Sequence, residues 1–542
     1  MGKLLWTILF GGFFLAGLPY ASLPPGPAFA SAAERRGDLS PAGLAVLIDR
    51  RLEEKWHGVE PAPPADDAEF LRRVYLDLAG RIPRVNEVRD FLEDPASDRR
   101  ERVVERLLDC SQYVSHFSNA WWKLLVPSAE NQQFAAQAAG FKTWLHEQVR
   151  DNTPYDKIVR DLLTAPLPND ASPANGAGGV SQQSSSAVGY LLANEVKPEN
   201  LAASTSRIFL GVRLECAQCH DHPFARWSRS QFWETAAFFT SGAQAPEPPS
   251  DPDQAPARSS LPRAITFPGT DKVVRPKFLG ANDSAVTESA EPRTALAQWL
   301  TAADNPYFAP TAVNRIWAHF FGIGLTDPVD DEPTAENPLR HPELLAELSA
   351  QFVAHDYDIK YLMRAVTATR AYQRTSAQSH SSQVDPRAFA RMAVRGLTPE
   401  QVFDSVALAV GFKENAANPA RPGNLNSSRE DFLNRFAGQE RAVDKQTSIL
   451  QALALMNGKF VAAATSLDRS TTLAAVADVP FMTVQQKIET LYLAALSRLP
   501  RPEEAQRLSA YVSAGGPRGD PREALSDVFW ALLNSAEFIL NH

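Results

Sequence analysis

Cysteine is nearly absent from this chain: three residues in 542, at Cys110, Cys216 and Cys219. So few thiols cannot staple a small disulfide-rich exported domain, which carries more of them and in even number. Methionine is scarcer than tryptophan, five residues against ten. No block of basic residues occurs and the formal net charge is -9, which argues against a nucleic-acid partner. An acidic balance keeps a chain soluble and repels anionic surfaces. Beyond residue 30 no run approaches the roughly twenty apolar residues of a membrane span.

What is present begins with an export pattern. Lys3 gives a positive start, Leu4 to Leu18 form an apolar run, and Pro19, Pro24 and Pro25 end any helix. Ala28-Phe29-Ala30 then fits the small-x-small cleavage rule, so residues 1–30 read as a signal peptide that is removed. The run is short for an uncleaved anchor, and no cysteine follows it to take a lipid. A periplasmic or secreted protein is expected.

The remaining composition, 44% hydrophobic and 22% charged, is that of a soluble globular protein. Residues 165–186 lack periodicity and read as a loop. Residues 241–262 hold six prolines and read as an extended linker. Ile265-Thr266-Phe267 and Lys272-Val273-Val274 are the β-like runs of a connector. The expected fold class is all-α, two helical domains joined by a Pro-rich linker, with few short strands. The domains run 40–240 and 290–541, with linker and connector at 241–289.

Helix signals support that class. Asp66-Asp67 precedes Phe70, Leu71, Val74, Tyr75 and Leu78 at helical spacing, with Gly80 and Pro83 as stops. Thr153-Pro154 and Thr398-Pro399 place a capping hydroxyl before a proline suited to a first turn. Residues 447–457 and 484–496 read as further helices. There is also an internal echo: Tyr75-Leu76, Arg81-Ile82-Pro83-Arg84 and Glu87 recur in register as Tyr492-Leu493, Arg498-Leu499-Pro500-Arg501 and Glu504. Each reads as a helix end, an X-Pro turn that bars the α region before it, and a new helix start. The shared register favours an old duplication over two unrelated corners.

One motif carries specific chemistry: Cys216-Ala217-Gln218-Cys219-His220. Thioether attachment of haem needs two thiols one turn apart for its two vinyl groups, with an imidazole next in line for the iron. Haem c is therefore the expected cofactor, held by Cys216 and Cys219 with His220 on the iron. Phe224, Trp227, Phe232, Trp233, Phe238 and Phe239 are aromatic neighbours able to wall it. Two rival readings stay open at this point. The thiols can form a disulfide or redox pair, although no βαβ context surrounds them. With His220 and His222 they can bind zinc or copper. The second axial ligand is not local, since no methionine lies between His220 and Met363 and His222 is too near along the chain. His319 or Met363, with Met392 and Met456 behind them, are the expected second ligands if the position is filled.

Other residues have plainer readings. Cys110 follows Val103 and Leu107 as a buried small hydrophobe. His116 lies in an aromatic patch with Tyr113, Phe117, Trp121 and Trp122 as a satisfied core or edge residue. Asp327 to Glu332 reads as a solvated acidic turn rather than a calcium loop. Arg315, Ala318 and His319 share a helix face, with a structural role for Arg315.

Long stretches resemble a known pair of domains. YLDLAGRIP, NTPYDKIVRDLLTA and FLGVRLECAQCHDHPFARW, within residues 40–240, resemble the planctomycete cytochrome-like domain, PSCyt. LAQWLTAADNPYFAPTAVNRIWAHFFGIGL, QALALMNG and WALLNSAEFILNH, within 290–541, are similar to its C-terminal partner, PSD. The resemblance implies an exported protein of unknown function, suspected of binding haem through Cys216, Cys219 and His220. Asp330-Asp331-Glu332 departs from the Asp-Phe-Gly frequent at that place. Three functions follow as expectations: electron transfer with an unidentified redox partner, haem- or metal-dependent catalysis on a periplasmic substrate, or a cofactor-free envelope role.

Overall fold

The computed structural model describes residues 38–126, 132–167, 186–222, 225–240, 264–280, 291–333, 338–411, 429, 432–433 and 465–542. The signal segment, the Pro-rich stretch 241–262, most of the loop at 165–186, the helix expected at 447–457, Phe224 and Met456 lie outside them. Among the described residues, nineteen α-helices and two small two-stranded sheets make the fold mainly helical. None of the described helices is long and apolar enough to cross a membrane. The connector strands Ile265–Thr266 and Val273–Val274 pair antiparallel, as the short β-like runs imply.

Local chemistry sets the helix bounds. Asp66 caps Asp67–Ala79 by accepting from the Glu69 N–H, and Gly80 ends it at φ 67°. Thr398 and Gln401 form a reciprocal capping box at the start of Pro399–Val410. Cys110 caps Ser111–Leu125 through its sulfur, so it stands half-buried at a helix end, not inside a core.

Packing does not divide at the Pro-rich stretch. One hydrophobic core runs from Leu44 to Met392, with Leu493 joined to it, and mixes residues from both expected domains. The helix Pro41–Glu53 packs on Ile359–Ala368, and Tyr155–Thr164 packs on Pro292–Leu300. A second core, Leu397 to Phe538, belongs to the C-terminal helices and also takes in Leu76 and Ile82. Packing thus crosses the expected division at 241–289 and passes from one core to the other near residue 395.

Candidate functional site

The Cys-x-x-Cys-His segment follows a π turn, Ser206–Leu210, closed by Gly211 at φ 64°. A Cβ on Gly211 would stand 2.8 Å from Thr311 Oγ1, so close approach as well as backbone sign requires glycine. The chain then makes one 3₁₀ turn, Glu215–Gln218. On such a turn residues three apart eclipse. Leu214 and Ala217 share the inner side and are fully buried, which leaves Cys216 and Cys219 together on the outer side, exposed and free.

His220 is exposed, and its Nδ1 lies 2.8 Å from the Asp221 carbonyl. A carbonyl only accepts, so Nδ1 carries a proton toward it, which leaves Nε2 as the nitrogen available to a ligand. The corner is anchored from behind. Gln218 O accepts from Trp233 Nε1 at 3.1 Å, and the Asp221 carboxylate accepts the Arg229 N–H at 2.7 Å. His222 is committed to its own loop, accepting the Ala225 N–H at Nδ1 and donating its N–H to Trp227 O.

The acidic turn is a clamp, which corrects its reading as solvated. Asp330 pairs with Arg315 at 2.6 Å and with Arg207 at 3.4 Å, and Glu332 accepts from Trp227 Nε1 at 2.9 Å. Arg207 precedes the cysteines and Trp227 follows them, so the turn grips both arms of the segment. Burial pushes the Glu332 carboxyl up.

The expected partners of the motif lie elsewhere. Met363 and Met392 are fully buried in the first core. His319 contacts Asp77, His116, Phe117 and Phe320, and none of residues 216–222. The expected aromatic wall is interior: Phe232 packs on Trp233, and Phe238 on Phe278, instead of facing an open side. Among the described residues no group of three or more His, Cys, Asp or Glu side chains is placed to hold a metal ion. Zinc or copper by way of Cys216, Cys219, His220 and His222 therefore has no geometric support here. A porphyrin needs no such convergence, because its two sulfurs bond the macrocycle edge and only the imidazole reaches the iron.

A second constellation was missed in the sequence. A cavity of about 390 Å³ lies where the Asp67–Ala79, Ser111–Leu125 and Pro399–Val410 helices meet His319 and Asn541. Asp77 is its buried centre. The carboxylate accepts from Arg395 at 2.8 and 3.0 Å, from Tyr372 Oη at 2.8 Å and from Asn541 Nδ2 at 2.7 Å. Its backbone carbonyl accepts from His319 Nε2 at 2.8 Å, which fixes that proton and leaves Nδ1 a bare acceptor. The His116 ring lies 5.8 Å from that of His319. Burial first, then His319 and Lys123, push the His116 imidazole down to about 3. Burial likewise lowers His319, against the pull of Asp77. Both rings are neutral at pH 7. The one signal available in the sequence was the Asp77 and Gly80 pair inside the first echo, where the second has Ala494 and Ser497.

Fold and site together define a mainly helical protein whose two halves share one core and display an outward Cys-x-x-Cys-His corner. Residues 47–244 match the family described as PSCyt2, protein of unknown function (DUF1549), and residues 292–430 that described as PSD1, protein of unknown function (DUF1553). The chain belongs to the proteins that carry these two domains in this order. No curated protein and no solved structure matches it.

Proposed function

We propose that the Cys216–His220 corner is the attachment site of a covalent c-type haem on an exported electron carrier. The observation that carries this reading is the outward pairing of two free thiols on one turn, followed by an imidazole whose Nδ1 is occupied and whose Nε2 is open. Cys216 and Cys219 would hold the group, each S–H adding across one vinyl C=C of its edge. Atoms balance, and no oxidant is consumed. His220 would ligate the iron, with the Asp221 carbonyl holding its tautomer and ring angle. Bound there, the group supplies one-electron redox chemistry. The exposed setting of all three residues favours exchange with a partner at the surface. Export rests on the pattern of residues 1–30.

The test is a haem-stained denaturing gel of the chain expressed with cytochrome c maturation machinery. Stain is expected on the wild type and lost from Cys216→Ala/Cys219→Ala. A colourless wild type, or stain that survives both substitutions, overturns the reading. Catalysis is a second reading, favoured because His319, Met363 and Met392 all stand away from the corner. A high-spin spectrum that changes with cyanide would support it over electron transfer.

A further inference from the structure

The duplicated corners differ at the cavity wall. Gly80 and Ser497 are equivalent positions, and both hold a left-handed backbone, φ 67° and 61°. The turn therefore accepts a side chain, as Ser497 demonstrates. What Gly80 serves is His116, whose Nδ1 would stand 2.4 Å from a Cβ there. At Asp77 the first copy has a carboxylate and the second, at Ala494, a methyl. Both departures build one site, and the second copy lacks it.

The charges of that wall are spent on each other. Asp77 pairs with Arg395, Lys123 with Glu400 at 2.9 Å, Asp404 with Arg429 at 3.0 Å, and Arg81 with Glu87 at 3.0 Å. A charged ligand would meet no net field and would have to break a pair. Besides the buried Nε groups of Arg81 and Arg395, the unspent groups are the two neutral imidazoles. His319 Nδ1 is an acceptor without a partner among the described residues. Neither ring nitrogen of His116 has one, and since Nε2 is enclosed by protein, Nδ1 beside Gly80 is the nitrogen a ligand reaches. A bare acceptor calls for a donor, which an ionised carboxylate lacks. A hydroxyl donates and accepts, so it serves both imidazoles whichever nitrogen of His116 holds the proton. Ala79, Gly80 and Ala120 add apolar wall for a C–H face. The volume, about 390 Å³, lies at the small end of small-molecule sites, roughly 300–1,000 Å³.

We propose that this cavity binds a small uncharged saccharide, with hydroxyls engaged by His116 and His319 beside the Asp77–Arg395 pair. The site is independent of the haem-attachment corner. It is tested on the full chain by following the histidine imidazole NMR signals during titration with glucose, galactose, mannose, N-acetylglucosamine and cellobiose. Phosphate and acetate serve as charged controls. Saturable shifts of His116 and His319 are expected with at least one sugar. Gly80→Ser, which keeps a backbone that Ser497 adopts but drives a Cβ into the His116 ring, should weaken binding about tenfold or more, as should His116→Phe. Three outcomes overturn the proposal: no saturation by any sugar up to about 100 mM, shifts of the same signals by phosphate or acetate instead, or affinity unchanged in the folded variants. Gly80→Ser keeps the test decisive if His116→Phe does not fold.

Discussion

His116 shows at the scale of one residue what burial does to a titrating group. Its folded value of about 3 lies below the ordinary 6.5. The unfolded chain then binds the extra proton first as pH falls, so the folded state loses ground between about pH 6.5 and 3. Stability contributed by the neutral ring is complete above 6.5. Urea midpoints measured from pH 7 to 4 are expected to fall, by up to about 1.4 kcal/mol per pH unit for this one group. His116→Gln should flatten that slope. An equal slope in the variant would assign the acid sensitivity to other groups. The sequence put His116 correctly in an aromatic patch, and Phe117 packs against it. It could not reveal that the ring lacks partners, because the Gly80 seat and the facing His319 are brought to it by tertiary packing.

At the scale of elements the two corners are the part most legible in sequence, because their bonds are local. Arg81 forks onto Glu87 at 3.0 and 3.1 Å and lies over the Tyr75 ring at 5.3 Å. Arg498 forks onto Glu504 at 2.8 and 3.1 Å and lies over Tyr492 at 5.3 Å. Arg84 and Arg501 each donate a backbone N–H to the same glutamate, at 2.7 Å in both corners. One difference decides their weights: Arg498 also holds Glu537, at 2.6 and 2.9 Å. Arg498→Ala is therefore expected to cost more than Arg81→Ala, roughly 3 against 1–2 kcal/mol in urea unfolding. Equal costs would remove Glu537 from the account. The acidic turn was illegible for the opposite reason, since Asp330 and Glu332 find Arg207 and Trp227 over a hundred residues away. Asp330→Asn should loosen the cysteine segment, seen as faster amide exchange across 206–220 with the C-terminal helices unchanged.

For the whole molecule, composition marks a division that the packing crosses. Prolines report local chain stiffness, whereas packing is set by which apolar faces meet, and those faces cross the linker. Residues 38–240 expressed alone are expected to lack a cooperative transition and to bind a hydrophobic dye; a sharp melt would sink the shared core. Arg72 ties that core to the second one. It is fully buried, pushed down to about 10 chiefly by burial, and donates to Ala495 O at 3.0 Å and Phe538 O at 2.7 Å. Arg72→Ala strands those carbonyls and leaves a void, with an expected cost of about 3 kcal/mol or more in thermal or urea unfolding. The interleaving also sets a clock on biogenesis. The first core cannot close until Met392 has been made, 172 residues after His220 (392 minus 220). At about 5–20 residues per second, the nascent cysteine segment waits roughly ten to thirty seconds as unstructured chain, open to any enzyme that must handle it before folding.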